Sequence, residues 1–283
     1  MAKFSDTTKR IKKYIYDSVI ETGFAPKINE IVDEIKVAKE VVLSSLHDLE
    51  GGVIVALQNE AHANIKTFMG EKLPKDSVIP DIGEIFYARP FSNFMNHQKV
   101  YVNGEQKWYA ECALECVGLS NFFPGKEVIV RSVCSYTKDP VELVGRDGVL
   151  LDYKPKGLLI HVGKPLRRWL DENDLIAPCD NNRFFSSKDA YLEWHESNKE
   201  ITSCLIQPIQ ANRMIRMIAY GRPRFDYRLR VPILKMIAQF HTIGITKSLM
   251  GIPYINPFWL PGPKLIRNFY KFKYKSFIEL GLW

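Results

Sequence analysis

The sequence has no long apolar run. None of its 283 residues lies in a stretch of about 18 uncharged apolar side chains, so we predict no membrane-spanning helix. The first residues, MAKFSDTTKRIKK, lack the apolar middle of a signal peptide, and we expect a cytoplasmic protein. Apolar residues make up 46% of the chain and charged residues 25%, which excludes a collagen-like, coiled-coil or wholly disordered chain.

Motifs of several common sites are also missing. HExxH, CxxC and paired histidines, which would indicate a structural zinc site, do not occur. GxSxG, the Walker A motif and a glycine-rich fingerprint after a strand are absent as well. The sequence therefore indicates no nucleotide cofactor.

The net charge of +7 is concentrated at the C-terminal end. Residues 222–283 hold 11 lysines and arginines against two acidic residues, a balance of +9, whereas residues 1–221 hold 28 basic and 30 acidic residues, a balance of −2. Cations interleaved with aromatics suit an anionic membrane surface or nucleic acid. We favour the alternative, in which the apolar residues of this basic extension pack on the body, because its prolines interrupt any long amphipathic helix.

The N-terminal third has the element order of a winged helix-turn-helix. Apolar periodicity and capping residues predict helices over 5–22, 27–36 and 38–49, followed by a short strand over 53–57. In nucleic-acid binders of this type the third helix enters the major groove. Here that helix reads AKEVVLSSLHDLE, with more acids than bases, which suits phosphate poorly. We favour a structural role and expect no nucleic-acid partner.

The central part alternates strands with helices. Alternation around Asn103-Gly104 and Asp147-Gly148 predicts two hairpins. Further strands are predicted over 127–134, 157–162 and 201–207, and helices over 110–119, 165–173, 187–198 and 208–220. The predicted fold is α+β: a three-helix winged-helix-like unit, then a mixed or antiparallel β-sheet core with flanking helices, then the basic extension. The predicted domain boundaries are 1–80, 81–221 and 222–283.

Three residues of the stretch AECALECVGL have the chemistry of a soft-metal site. On a helix, Cys112, Glu115 and Cys116 would share one face. Two thiols and a carboxylate are a soft ligand set with a proton source beside it. On this pattern alone, a buried helix with both cysteines in the core is the favoured interpretation.

The other cysteines differ in their surroundings. An odd total of five in a large chain indicates free thiols rather than a disulfide framework. Cys134 and Cys204 lie within strand patterns, where packing is the favoured role. Cys179 follows a proline in the polar loop LIAPCDNNRFF and is less typical of a core position.

Four stretches together resemble the organomercurial (alkylmercury) lyase family over about residues 7–220. They are the N-terminal ETGFAPKINEIVDEI, the hairpin and helix YARPFSNFMNHQKVYVNGEQKWYAECALECVGL, the strand VIVRSVCSYTKDPVEL, and APCDNNRFFSSKDAYLEW. The second is similar to the family's pattern of an aromatic residue, alanine, any residue, cysteine, alanine, any residue and aspartate. The fourth is similar to a family segment with a cysteine shortly before a Phe-Phe pair.

The resemblance implies carbon–mercury bond cleavage without a cofactor. It implies that Cys112 and Cys179 bind the mercury of an organomercury substrate and that Cys134 is buried and structural. Glu115 falls where the family usually has aspartate, a departure that moves the proton-carrying carboxyl by on the order of 1 Å. Low-molecular-weight thiols or a mercuric reductase are the implied acceptors of Hg(II). The alternatives are a relative that binds a soft metal without catalysis, and a winged-helix regulator with a cysteine site.

Overall fold

A computed structural model describes most of the chain up to residue 218 and short pieces of the extension. The described residues are 4–52, 54–168, 181–201, 203–218, 248–249, 252–253, 257–260, 262–264 and 267. Within them the fold is α+β with antiparallel sheets, as the sequence predicts. No helix among these residues is both long enough and apolar enough to cross a bilayer.

Three helices form the N-terminal unit: α1 (Asp6–Thr22), α2 (Ile28–Ile35) and α3 (Lys39–Gly51). The Ser5 side chain accepts the Thr8 N–H at 3.0 Å and caps α1, and Gly23 ends it with a φ of 93°. Each helix buries a stripe of apolar side chains in the common core, because apolar residues recur at helical spacing. All three helices are therefore confirmed to within two residues.

A five-stranded antiparallel sheet forms the centre, in the order β10-β9-β8-β6-β7. Its strands are β6 (Lys99–Val102), β7 (Glu105–Tyr109), β8 (Glu127–Val133), β9 (Pro140–Arg146) and β10 (Val149–Lys154). Both predicted hairpin turns have positive φ at their two central residues, 51° and 84° at Asn103-Gly104 and 51° and 77° at Asp147-Gly148. Burial alternates along β8 and β9, so one face of the sheet lies on the core.

Smaller sheets flank this one. They comprise β1 (Val55–Leu57) with β4 (Ile85–Ala88) and β5 (Phe91–Ser92), the hairpin of β2 (Thr67–Phe68) and β3 (Glu71–Lys72), the sheet of β11 (Leu159–Val162), β12 (Arg183–Phe185) and β13 (Cys204–Ile206), and the pair of β14 (Ser248–Leu249) and β15 (Ile252–Pro253). The remaining helices are α4 (Ala113–Cys116), α5 (Lys188–Glu196) and α6 (Pro208–Ile218). The short α4 contacts α6, β11 and β12, so it lies where the sheets meet.

One predicted helix is corrected, and a second is described only in part. The helix over 110–119 is reduced to the four residues of α4, followed by a 3₁₀ turn at Leu119–Phe122. Of the helix predicted over 165–173, a 3₁₀ turn at Leu166–Arg168 is seen, and the rest lies outside the described residues. The first stretch is mostly apolar and its α4 contacts β11 and β12, and such contacts override helical spacing in a short segment.

The basic extension packs on the body where the structure describes it. Trp259 is 1% exposed and, with Phe258, belongs to the main apolar core. The backbone of Gly262 lies so close to Arg167 that a Cβ on the glycine would approach the arginine carbonyl oxygen to 2.3 Å. These residues follow the packing interpretation; the lysine-rich stretch after residue 267 lies outside the described residues.

The buried His161 is expected to make the stability of this fold depend on pH. It is fully buried on β11, with Nδ1 2.8 Å from the Asn181 carbonyl oxygen and Nε2 2.8 Å from Ser203 Oγ. Burial is the main cause that lowers the pKa of His161 to about 4, and the hydrogen bond to Asn181 opposes it. The unfolded chain takes up this proton near pH 6.5, so the unfolded state binds more protons between the two values.

We therefore expect the free energy of unfolding to fall by about 3 kcal/mol from this residue as the pH drops from about 6.5 to about 4. Urea titrations at several pH values, compared between wild type and His161→Gln, measure it: the variant should have a shallower dependence on pH. The exposed His47 supplies the control, and His47→Gln should leave the slope unchanged. Parallel curves for wild type and His161→Gln would refute the assignment.

Candidate active site

Cys112 lies at the junction between the central sheet and α4. The chain leaves β7 at Tyr109, and the next residue, Ala110, forms a bridge with Phe91 of β5. Cys112 is the N-terminal capping residue of α4, and its carbonyl oxygen accepts the N–H groups of Glu115 and Cys116, both at 3.1 Å. Its side chain is 1% exposed. The thiol is therefore held in the core at the start of a helix rather than within a long one.

Glu115 stands one turn after Cys112 and differs from it in exposure. Its side chain is half-buried, whereas Cys112 and Cys116 are buried. Its negative charge contributes to the pKa of the Cys116 thiol, which places the carboxylate close to that sulfur. The three residues lie within one turn, with Cys112 as the capping residue of α4 rather than inside a longer helix, and Glu115 is the one that is partly exposed.

Cys116 is suited to remain a protonated thiol. Burial raises its pKa well above the ordinary value for a thiol, and the charge of Glu115 raises it further. Its Sγ donates to the buried Gln98 Oε1 at 2.8 Å. Since the thiolate is the form that binds a soft metal, Cys116 is poorly prepared to be a ligand.

Asn182 brings a third element to Cys112. It lies immediately before β12, and its carbonyl oxygen accepts the Ala113 N–H at 3.2 Å. Its Nδ2 donates to the Cys112 Sγ at 3.5 Å. Asn182 could not be predicted as a site residue, because an asparagine in a polar loop carries no signal of contact with a cysteine 70 positions earlier.

Cys179, the second predicted ligand, lies outside the described residues. It precedes Asn182 by three positions in the sequence. That Cys112 and Cys179 bind one mercury atom together stays a prediction.

The two remaining cysteines lie on other elements of the fold. Cys134 follows β8, is fully buried and packs against Phe185 and Trp194. Burial raises the pKa of its thiol, but hydrogen bonds with Thr137 and Ser186 outweigh it, so the pKa lies below the ordinary value. Cys204 is partly exposed and pairs with Val162 across β11 and β13.

A buried ion pair lies directly before Cys112. Arg89 Nη1 is 2.6 Å from Glu111 Oε1, with the two side chains 8% and 0% exposed. The Tyr16 hydroxyl donates to the Arg89 carbonyl oxygen at 2.6 Å, and the Glu111 N–H donates to the Pro90 carbonyl oxygen at 2.9 Å. The pair therefore ties α1 and the β4–β5 segment to the residue that precedes Cys112.

Breaking this pair should destabilise the protein strongly. Glu111→Gln leaves the Arg89 charge buried without its counter-ion, and we expect a loss of about 3–5 kcal/mol in the free energy of unfolding. Chemical denaturation measures the loss. The double variant Arg89→Met, Glu111→Leu removes both charges and should cost clearly less than the single change. If Glu111→Gln is as stable as wild type, the ion pair contributes little to the free energy of unfolding.

The side chains around Cys112 determine which ligands and proton carriers this site can supply. Within 4–168 and 181–218, apart from the two isolated gaps, no three His, Cys, Asp or Glu side chains converge as a metal site. What the geometry brings together is one buried thiol, an amide donor on its sulfur, and a half-exposed carboxylate one turn away. This set can supply a soft ligand and a proton carrier.

Comparisons with known proteins relate this chain to one family and one fold. Residues 91–220 match the model of the family described as MerB, alkylmercury lyase, which confirms the resemblance over these residues. No curated protein matches the chain. A solved structure of the mercury-bound form of MerB2 superposes with a TM-score of 0.50 at 18% identity, covering 74% of this chain and 88% of that one. This likeness shows a shared fold.

Proposed function

We propose that this chain, whose residues 91–220 match the alkylmercury lyase family, is an organomercurial lyase. It cleaves the carbon–mercury bond of an R–Hg(II) compound by protonolysis and releases a hydrocarbon. The observation that carries the proposal is that the match spans Cys112, Glu115 and Cys179 together. The arrangement of Cys112 and Glu115 on one turn supports it, because a ligand and a proton carrier must act on the same atom pair.

In the first step, the substrate mercury binds to sulfur. Thiolates are soft ligands and mercury is a soft metal, so the Hg–S bond forms in preference to bonds with oxygen or nitrogen. The Cys112 thiolate binds R–Hg⁺ first, and Cys179 binds next as a thiolate. The proton that leaves the second thiol passes to the Glu115 carboxylate.

In the second step, the carbon leaves with that proton. The protonated Glu115 acts as general acid toward the carbon bound to mercury. The Hg–C bond breaks, its electron pair forms the new C–H bond, and R–H departs. Hg(II) stays on the two sulfurs until low-molecular-weight thiols or a mercuric reductase remove it. No cofactor takes part in this scheme.

Two features support Cys179 rather than Cys116 as the second ligand. The raised pKa of Cys116 keeps it as a thiol. Cys179 precedes Asn182 by three residues, so covalent geometry keeps the two Cα atoms within about 11 Å of each other. Asn182 itself touches Cys112, and a mercury atom shared by Cys112 and Cys179 is part of the proposal.

We also propose that the N-terminal unit is winged-helix-like and structural. Trp108 Nε1 donates to the Val19 carbonyl oxygen at 2.8 Å, and Lys107 Nζ donates to that of Glu21 at 3.3 Å. These bonds join the end of α1 to β7, the strand that leads to Cys112. A regulator would instead use α3 on DNA, and its acidic residues argue against that.

The experiment is headspace detection of methane or benzene after incubation with methylmercury or phenylmercury and excess thiol. Hydrocarbon release above the protein-free control supports the lyase. A second candidate, a relative that binds mercury without catalysis, is favoured by the glutamate at position 115 where the family usually has aspartate. Tight retention of mercury with no hydrocarbon would support that candidate and overturn the lyase.

A further inference from the structure

The backbone at Asn182 is fixed by two contacts. Its carbonyl oxygen accepts a hydrogen bond from the N–H of Ala113, the first residue of α4. The next residue, Arg183, pairs with His161 across β11 and β12. The backbone that carries the asparagine side chain is therefore held by both the helix and the sheet. The residue is 2% exposed.

The amide of Asn182 is satisfied on one side only. Nδ2 donates to the Cys112 Sγ at 3.5 Å, an ordinary length for a sulfur acceptor. Oδ1 is buried and, among the described residues, has no hydrogen-bond partner. A buried acceptor without a partner is costly, and an apolar side chain of similar size would avoid that cost. Packing alone therefore does not explain why this residue is an asparagine. The hydrogen bond that Nδ2 donates to the Cys112 sulfur is the feature an apolar residue could not supply.

Resting on the proposed function, we propose that Asn182 is a positioning residue for the reaction, which holds the Cys112 sulfur through its Nδ2–H group. The amide sets the orientation of the sulfur that meets mercury first. No atom is exchanged with the amide in this role.

The test is the rate at which iodoacetamide alkylates Cys112, measured by mass spectrometry of its peptide at fixed pH. Because Cys112 is 1% exposed, this rate is divided by the rate at the equally buried Cys134 in the same sample, which corrects for opening of the core. Asn182→Leu keeps the approximate size and removes the donor, and it should slow alkylation by about tenfold. Asn182→Asp keeps the shape but replaces the donor with a second acceptor, so it should be slower still. A residue that only fills space would show little change with leucine, and this outcome would overturn the proposal.

Two further measurements distinguish the effect of the Asn182 donor on Cys112 from a general effect of substitution on folding. Asn198→Leu is the matched control and should leave the alkylation rate unchanged. Asn198 Nδ2 also donates a hydrogen bond, to the Trp194 carbonyl oxygen at 2.7 Å, but not to Cys112. If Asn182→Leu does not melt cooperatively, Asn182→Ser, which keeps a donor, is compared with Asn182→Ala. Faster alkylation in the serine variant supports the proposal, and equal rates overturn it.

This experiment does not depend on turnover. Wild-type protein that releases no hydrocarbon would refute the lyase while the alkylation order still tests Asn182. Where turnover is seen, Asn182→Leu should lower kcat/KM for phenylmercury by a similar factor, about tenfold, with Asn198→Leu unchanged. Unchanged alkylation with normal turnover would refute the role of Asn182 alone.

Discussion

Replacing Cys112 with serine is expected to abolish hydrocarbon release from phenylmercury. Serine has nearly the same size as cysteine but offers a hard oxygen, to which mercury binds weakly. Because both steps of the proposed reaction occur on mercury held by this residue, we expect a loss of on the order of 10³-fold or more. Benzene in the headspace, measured at saturating phenylmercury with excess thiol, gives the rate.

The other cysteines provide the controls for this variant. Cys204→Ser changes a partly exposed residue of β13 and should retain the wild-type rate, as should Cys134→Ser. Cys179→Ser should lose activity as Cys112→Ser does, because the second thiolate is missing. Activity in Cys112→Ser, or its loss in Cys204→Ser alone, would contradict the assignment of the ligands.

Replacing Glu115 with glutamine should separate binding from bond cleavage. Glutamine cannot carry the proton to carbon, so we expect hydrocarbon release to fall by about 10²–10⁴-fold. The sulfurs remain, and the variant should still retain one mercury per protein after gel filtration. Benzene release and bound mercury are measured on the same sample.

Glu115→Asp is the informative companion to the glutamine variant. It restores the residue that the family usually has and moves the carboxyl by on the order of 1 Å. It should release benzene faster than Glu115→Gln, since it keeps a proton carrier. A glutamine variant as active as wild type would show that another group delivers the proton, and the mechanism would then need a different acid.

Local structure was predictable where neighbouring residues decide it. Ser5 and Gly23 mark the two ends of α1, because capping acts within one turn. The turns at Asn103-Gly104 and Asp147-Gly148 have positive φ at both residues, because asparagine, aspartate and glycine tolerate the conformation that a type I′ turn requires. The helix over 110–119 was wrong, because contacts of that segment with distant strands outweigh its apolar spacing.

Through the resemblance it carries, the sequence by itself also determined which residue types belong to the candidate site, with a cysteine and a carboxylate one turn apart. Only the tertiary structure decided how their surroundings differ: the Asn182 amide contacts the buried Cys112, burial raises the pKa of Cys116, and Glu115 is partly exposed. Burial and long-range contacts set these differences. They depend on which segments pack together, and Asn182 meets Cys112 across 70 positions that no local pattern connects.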